Sequence, residues 1–334
     1  MLTLGTDMND LMNGVFIHHL RFDLRAREIV SFGPQPGSAL RGALYNALSR
    51  QYCPDQDAAH LPGHRSACPV CRLLAAEDPD GQRGHDLPRP LTIEPPTADL
   101  CVESGQGWQF GLSLIGQGAT ETFPHLIRAV QAMGQEGVGH GRGRFELVGV
   151  EACNPLSREQ VSLLDGRRVE LPAIPVTADQ VKAAASALPG DRLALRLITP
   201  LRIGEDKRLC RQPALAIFIR RLLERCQAIA THYGSDPAAQ DRAPWRELSL
   251  RLSETAASAR LSTDQTRWLD IQSGSWRTGQ ATPIGGLVGT AVWEGNLQEM
   301  LPWVTWGQSL HVGKDTVKGN GWYAIVDPKG FENP

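Results

Sequence analysis

Aromatic residues are scarce, 6% of the 334 residues, and no stretch approaches the roughly eighteen consecutive apolar residues of a membrane-spanning helix. Neither sign of charge is in excess. The 34 Lys and Arg stand against 36 Asp and Glu, a net charge of −2 that does not by itself announce a nucleic-acid binder. A paired set of cysteines is missing as well: seven is an odd number and does not build a disulfide framework. The opening MLTLGTDMNDLMNG has neither a basic n-region nor a clean apolar stretch, which predicts no signal peptide and a cytoplasmic chain. What is present, 41% hydrophobic and 21% charged residues, is the balance of a globular protein long enough for two domains.

Glycine is plentiful, and part of it recurs in a pattern. At 123–147 an apolar helical stretch leads to Gly134-Gln135, a loop with Gly137, Gly139, Gly141 and Gly143, and a strand. At 297–326 the order returns, with Gly307-Gln308, a loop with Gly313, Gly319 and Gly321, and the strand WYAIV. Two copies of one supersecondary unit predict a duplicated domain. Glycine-rich turns of this kind also let another backbone, such as a phosphodiester, come close. The loop GKDTVKGNG is not a nucleotide-binding P-loop, because it lacks the Gly-x-x-x-x-Gly-Lys-Ser/Thr spacing and follows a helix.

Periodicity predicts a strand over 15–24, a helix over 38–51 capped by Ser38, strands at 91–94 and 108–115, a helix over 122–133 and a strand at 145–150. The order β-α-β-β-α-β is the ferredoxin-like split βαβ arrangement. After a connector at 154–189 the order repeats: a strand at 192–199, a helix over 213–233, a polar, helix-leaning elaboration at 236–269, strands around 268–276 and 286–293, a helix over 297–306 and a closing strand. The expectation is an α+β chain of two tandem ferredoxin-like domains. They span 12–153 and 190–328, with a Cys/His-rich insertion at about 52–90 in the first.

That insertion holds Cys53, Cys68 and Cys71 as Cys-x14-Cys-x2-Cys. Three thiols and an imidazole are a tetrahedral zinc set, and a segment without a core of its own is one that a metal can organise. His64 is the preferred fourth ligand, with His60 and His85 as alternatives; a reduced, flexible insertion is the competing reading. A closed site of this kind is structural and would not perform catalysis. Basic residues gather at 202–225, among them Lys207 and Arg211, either as a phosphate-binding stripe or as a solvated helix face.

Several stretches resemble the RAMP-type CRISPR repeat-processing endoribonucleases: GSALRGALYNAL (37–48), CPVCRLL (68–74), RPLTIEPP (89–96), GVGHGRGRFELVGV (137–150), ITPLRI (198–203), TPIGGLVGTAVWEGNL (282–297) and LHVGKDTVKGNGWYAIV (310–326). The resemblance implies two ferredoxin-like domains and CRISPR repeat RNA as the partner. It also implies metal-independent cleavage in which the RNA's own 2′-hydroxyl attacks the phosphodiester. A non-catalytic subunit that binds guide RNA and scaffolds a CRISPR effector complex is the alternative. Many relatives carry the catalytic histidine on or just before the first helix, where this chain offers only Arg41, Tyr45 and Arg50. The catalytic candidates are therefore His311 and Lys314 at the second glycine loop, then His19 on the first strand, with Tyr45 as a helper. Candidate RNA contacts are Arg41, Arg142, Arg144, Lys207, Arg211, Gly313, Lys318, Gly319 and Gly321.

Overall fold

Alternation along the first strand carries through to its packing. The computed structural model describes residues 11–53, 55, 57–75, 87–165, 168–206, 208–235, 237–274 and 281–331. Strand β1 (Ile17–Ala26) sends Leu20, Phe22 and Leu24 into a core shared with Leu40, Leu44 and Leu48 of helix α1 (Pro36–Tyr52). The other elements of this unit are β2 (Leu91–Glu94), β3 (Gly107–Ile115), α2 (Phe123–Glu136) and β4 (Phe145–Cys153). Helix α2 adds Leu126, Val130 and Met133 to the same core, at the i, i+4, i+7 spacing of a helix face. Helix α1 starts earlier than expected. Pro36 takes its first turn, where the missing N–H costs nothing, so Ser38 lies inside the helix and does not cap it.

The connector is more structured than its composition suggested. Strand β5 (Gln160–Ser162) pairs with β4, giving the sheet order β2-β3-β1-β4-β5, all antiparallel. Helix α3 (Ala178–Ser186) follows, opened by a capping box between Thr177 and Gln180.

The second unit is built on β6 (Arg192–Leu201), followed by α4 (Leu215–Tyr233), α5 (Arg242–Ser258), β7 (Arg260–Leu269), β8 (Gly286–Glu294), α6 (Leu301–Leu310) and β9 (Tyr323–Val326). Its sheet order is β7-β8-β6-β9. In both units the four conserved-order strands run second, third, first, fourth, which is the ferredoxin-like topology. One expectation is corrected here. Residues 260–269 are not part of a helical elaboration; they form a ten-residue edge strand paired with β8. Its solvent side is polar, RLSTDQTRWL, and such an edge leaves little apolar alternation to find.

The repeated Gly-Gln has a packing cause. A methyl on Gly134 would overlap the carbonyl of Phe145, the first residue of β4, and one on Gly307 would overlap the Tyr323 hydroxyl at the start of β9. Gln308 then accepts the Ile325 N–H at 2.9 Å, and Tyr323 donates to the Val304 carbonyl at 2.6 Å. Both glycines let a helix end lie directly on the closing strand. By contacts the described residues divide into Phe16–Val176 and a unit of residues 11–15 with those from Thr177 onward. The boundaries taken from sequence, 12–153 and 190–328, fall elsewhere.

Candidate functional site

The insertion in the first unit brings four donors together. Cys53 is the residue that ends α1, His64 lies on the short helix Pro62–Ala67, and Cys68 and Cys71 flank the turn after it. One ligand atom from each lies within 4.8 Å of all the others. Cys53 Sγ is 3.8 Å from Cys71 Sγ and 3.6 Å from His64 Nε2, and His64 Nε2 is 3.2 Å from Cys71 Sγ. Tetrahedral ligands at a metal–sulfur distance of about 2.3 Å stand about 3.8 Å apart, so these separations fit a metal at the centre. Burial, and then the neighbouring Cys68, push the Cys53 and Cys71 thiols up; a divalent cation reverses that tendency by binding the thiolates. His85 and the side chain of His60 lie outside what the structure describes.

On β1, cross-strand pairing assembles a second cluster. His19 stands opposite Ser113 of β3, which stands opposite Thr92 of β2. His19 Nδ1 lies 2.8 Å from Glu94 Oε1 and 3.1 Å from Ser113 Oγ. His19 is not exposed: only 10% of its side chain is accessible. Glu94 and Ser113 did not emerge from the sequence, because their link to His19 spans 75 and 94 residues. Next along the same face, Arg21 pairs with Glu151 and Gln109 donates to Asp23 at 2.6 Å. His18, on the opposite face, is held down to about 4 by burial and by the adjacent His19.

On α1, Arg41 and Tyr45 are one turn apart and half-buried. The Arg41 guanidinium lies 5.2 Å from the Tyr45 ring centroid, a cation–π geometry, and donates to the Leu74 carbonyl at 3.4 Å. In the first glycine loop Arg142 and Arg144 are exposed but engaged, Arg142 with Glu136 and Arg144 with Glu28. His140 packs against Gly33, and its N–H bonds to Ser31, so this loop serves the first unit's own packing.

The second glycine loop departs most from expectation. His311 has no accessible surface, its ring stacks on Trp322 at 6.1 Å, and its backbone sits at φ 57°, ψ 164°. An imidazole placed this way faces the unit's interior, not a ligand approaching the loop. Lys314 is exposed, and its N–H bonds to the Arg202 carbonyl. Lys318 is paired with Asp315 at 2.8 Å. Gly319 and Gly321 are buried, and a methyl on Gly321 would overlap the Val312 carbonyl, so these glycines close the loop on itself. Asn320, 1% exposed, donates to the Ile284 carbonyl at 2.9 Å and ties the loop to the segment just before β8.

The basic residues at 202–225 do not form a free stripe. Arg220 pairs with Glu205, Arg221 with Glu224, and Arg202 donates to the Gly285 carbonyl at 3.0 Å. Arg211 stacks over Trp268, 4.7 Å from its ring centroid. Lys207 lies outside the described residues. Trp303 and Trp306 are core residues at 2% and 0% exposure. Among the described residues no helix is long and apolar enough to cross a membrane.

Two family models match the chain. One, AF_1859_N, described as an N-terminal domain, matches residues 14–174; the other, CRISPR-associated endoribonuclease Cas6, matches residues 195–323. No curated protein matches. Among solved structures the chain is similar to Cas6 of Thermus thermophilus, at TM-score 0.55 and 15% identity over 93% of this chain and 99% of that one. A Cas6 product complex aligns at TM-score 0.50 and 17% identity, covering 93% of this chain and 100% of the other. A chain of a partial Cas6-RT-Cas1–Cas2 complex aligns at TM-score 0.58 and 15% identity over 94% of this chain and 46% of that one. Residues 195–323, through the second glycine loop, match the Cas6 model, and the chain shares the fold of the solved Cas6 structures, with two ferredoxin-like units in tandem.

Proposed function

We propose that this protein binds CRISPR repeat RNA and cleaves it without a catalytic metal, releasing mature guide RNA. The observation that carries the reading is the match of residues 195–323, which includes the glycine loop and its exposed Lys314, to the CRISPR-associated endoribonuclease model. In the proposed step the 2′-oxygen bonds to the adjacent phosphorus and the bond from phosphorus to the 5′-oxygen breaks. The proton leaves the 2′-oxygen and one is delivered to the 5′-oxygen, giving a 2′,3′-cyclic phosphate and a 5′-hydroxyl. His19 in the first unit and Lys314 in the second are separate candidates, His19 for proton transfer and Lys314 for a phosphate contact. The Glu94 contact at Nδ1 favours His19 for this role, since a carboxylate there orients the ring. Arg41 and Tyr45 lie on α1, on the sheet face opposite His19, and are separate candidates for RNA contact, while His311 shapes the loop. Zinc is the metal proposed for Cys53, His64, Cys68 and Cys71, in a structural role.

The test is cleavage of labelled repeat RNA with EDTA present, beside a strand carrying 2′-deoxy at the scissile nucleotide. Cutting of the all-RNA strand alone is expected, with Lys314→Ala and His19→Gln each slowing it about 100-fold. Tight binding without cutting supports the second reading, a subunit that holds guide RNA within an effector complex. The burial of His311 and the lack of a histidine on α1 favour that reading.

A further inference from the structure

The four metal-ligating residues are not remote from α1, because the chain between them and that helix is anchored at both ends. Cys53 ends α1, and the segment Cys71–Ala75 continues directly from the ligand pair Cys68 and Cys71. Leu73 and Leu74 of this segment are buried in the core that α1 faces. Arg72 donates to the Gly118 carbonyl at 2.9 Å and pairs with Glu121 at 3.6 Å. The Leu74 carbonyl then accepts from Arg41, the residue whose guanidinium lies over Tyr45. The segment thus links the ligand pair to the Arg41 side chain of α1. Its position is fixed by the metal ligands at one end and read out by Arg41 at the other.

We propose that the Cys53–His64–Cys68–Cys71 centre, once it holds zinc, acts as a positioning device for Arg41 by anchoring residues 71–75 so that the Leu74 carbonyl keeps the guanidinium over Tyr45. The inference rests on the zinc and RNA-binding readings above and extends them: a metal that touches no RNA sets the geometry of a cation that does. Without it, the thiols and the imidazole keep only weak contacts with one another, and the Leu74 carbonyl is held less firmly.

The experiment uses the full chain. Zinc content is measured first by metal analysis of the purified protein; a chain without zinc overturns both the metal reading and this inference. With zinc present, the ring signals of Tyr45 are followed by NMR in ¹³C-tyrosine-labelled protein, assigned with Tyr45→Phe, while a chelator removes the metal. The expected result is a shift of the Tyr45 signals as Arg41 leaves the ring, with faster amide exchange at 71–75, in protein that keeps its far-UV circular dichroism. Unchanged Tyr45 signals in zinc-free protein overturn the positioning role and leave the zinc reading standing. Repeat-RNA affinity closes a double-mutant cycle. Cys71→Ser is expected to weaken binding about tenfold in the parent and hardly at all in Arg41→Ala. Losses that multiply in the double variant overturn the inference. If Cys71→Ser does not fold, the chelated parent takes its place in the cycle.

Discussion

At the scale of single residues, two histidines carry the sharpest expectations. His311 occupies a backbone region essentially reserved for glycine, yet its ring is wholly buried against Trp322. Ring packing therefore holds a strained backbone in place. His311→Ala loses the ring and keeps the strain, whereas His311→Gly loses the ring and the strain together. The glycine variant is expected to be the more stable by about 1 kcal/mol in urea melts, and equal stabilities would show that the strain is not there. His18 makes a pH prediction. Burial and the adjacent His19 hold its imidazole at about 4, below the ordinary 6.5, so it is neutral when folded. The unfolded chain takes up this proton as pH falls below 6.5 and the folded chain only near 4. The stability it contributes is therefore full above pH 6.5 and declines through that window, by about 2 kcal/mol at pH 4.5. Between pH 7 and 4.5 the parent should lose about that much more than His18→Gln, and parallel losses would absolve His18. Neither property could be read from sequence. Position 311 was legible as the entry to a glycine loop, but its burial depends on Trp322 and on the closure of the loop, which no local pattern reveals.

At the scale of elements, strands and helices with strong periodicity were legible to within a few residues, and the two Gly-Gln repeats pointed to a duplicated unit. The cause of those repeats became visible only in the packing, where each glycine meets the first residue of its closing strand. Gly307→Ala forces a methyl into the Tyr323 hydroxyl and against Leu222, with Tyr323 fully buried. Overpacking at such a site costs about 1–3 kcal/mol, and the melting midpoint of the second unit should fall accordingly. Addition of Tyr323→Phe, which removes the colliding oxygen, should recover part of the loss. The Cys/His cluster was legible for a different reason: Cys-x2-Cys is a local spacing, and a third thiol close in sequence narrows the geometry. The His19–Glu94–Ser113 cluster was not, because it depends on register across three strands. The edge strand β7 was missed because its solvent side is polar and, among the described residues, β8 is its only strand partner.

At the scale of the whole molecule, the repeat announced two domains, and each sheet has the predicted ferredoxin-like order. What composition could not announce is that residues 11–15 belong with the second unit. Leu11 and Met12 are buried at 2% and 0% exposure, and Ser235, just past α4, donates from its backbone to the Asn13 carbonyl. Met12→Ala should therefore cost the second unit about 2–5 kcal/mol while sparing the first. Protease cleavage after mild heating would show this, with early cuts falling after residue 177. The same segment has a consequence for biosynthesis. Residues 11–15 leave the ribosome before any part of the first unit, yet their packing partners around residue 235 follow more than two hundred residues later. At translation rates of about 5–20 residues per second, two buried hydrophobes wait on the order of tens of seconds for cover. The first unit can close meanwhile, so the second is finished by chain made at both ends of its neighbour. That interval is when a nascent-chain chaperone would find its handle.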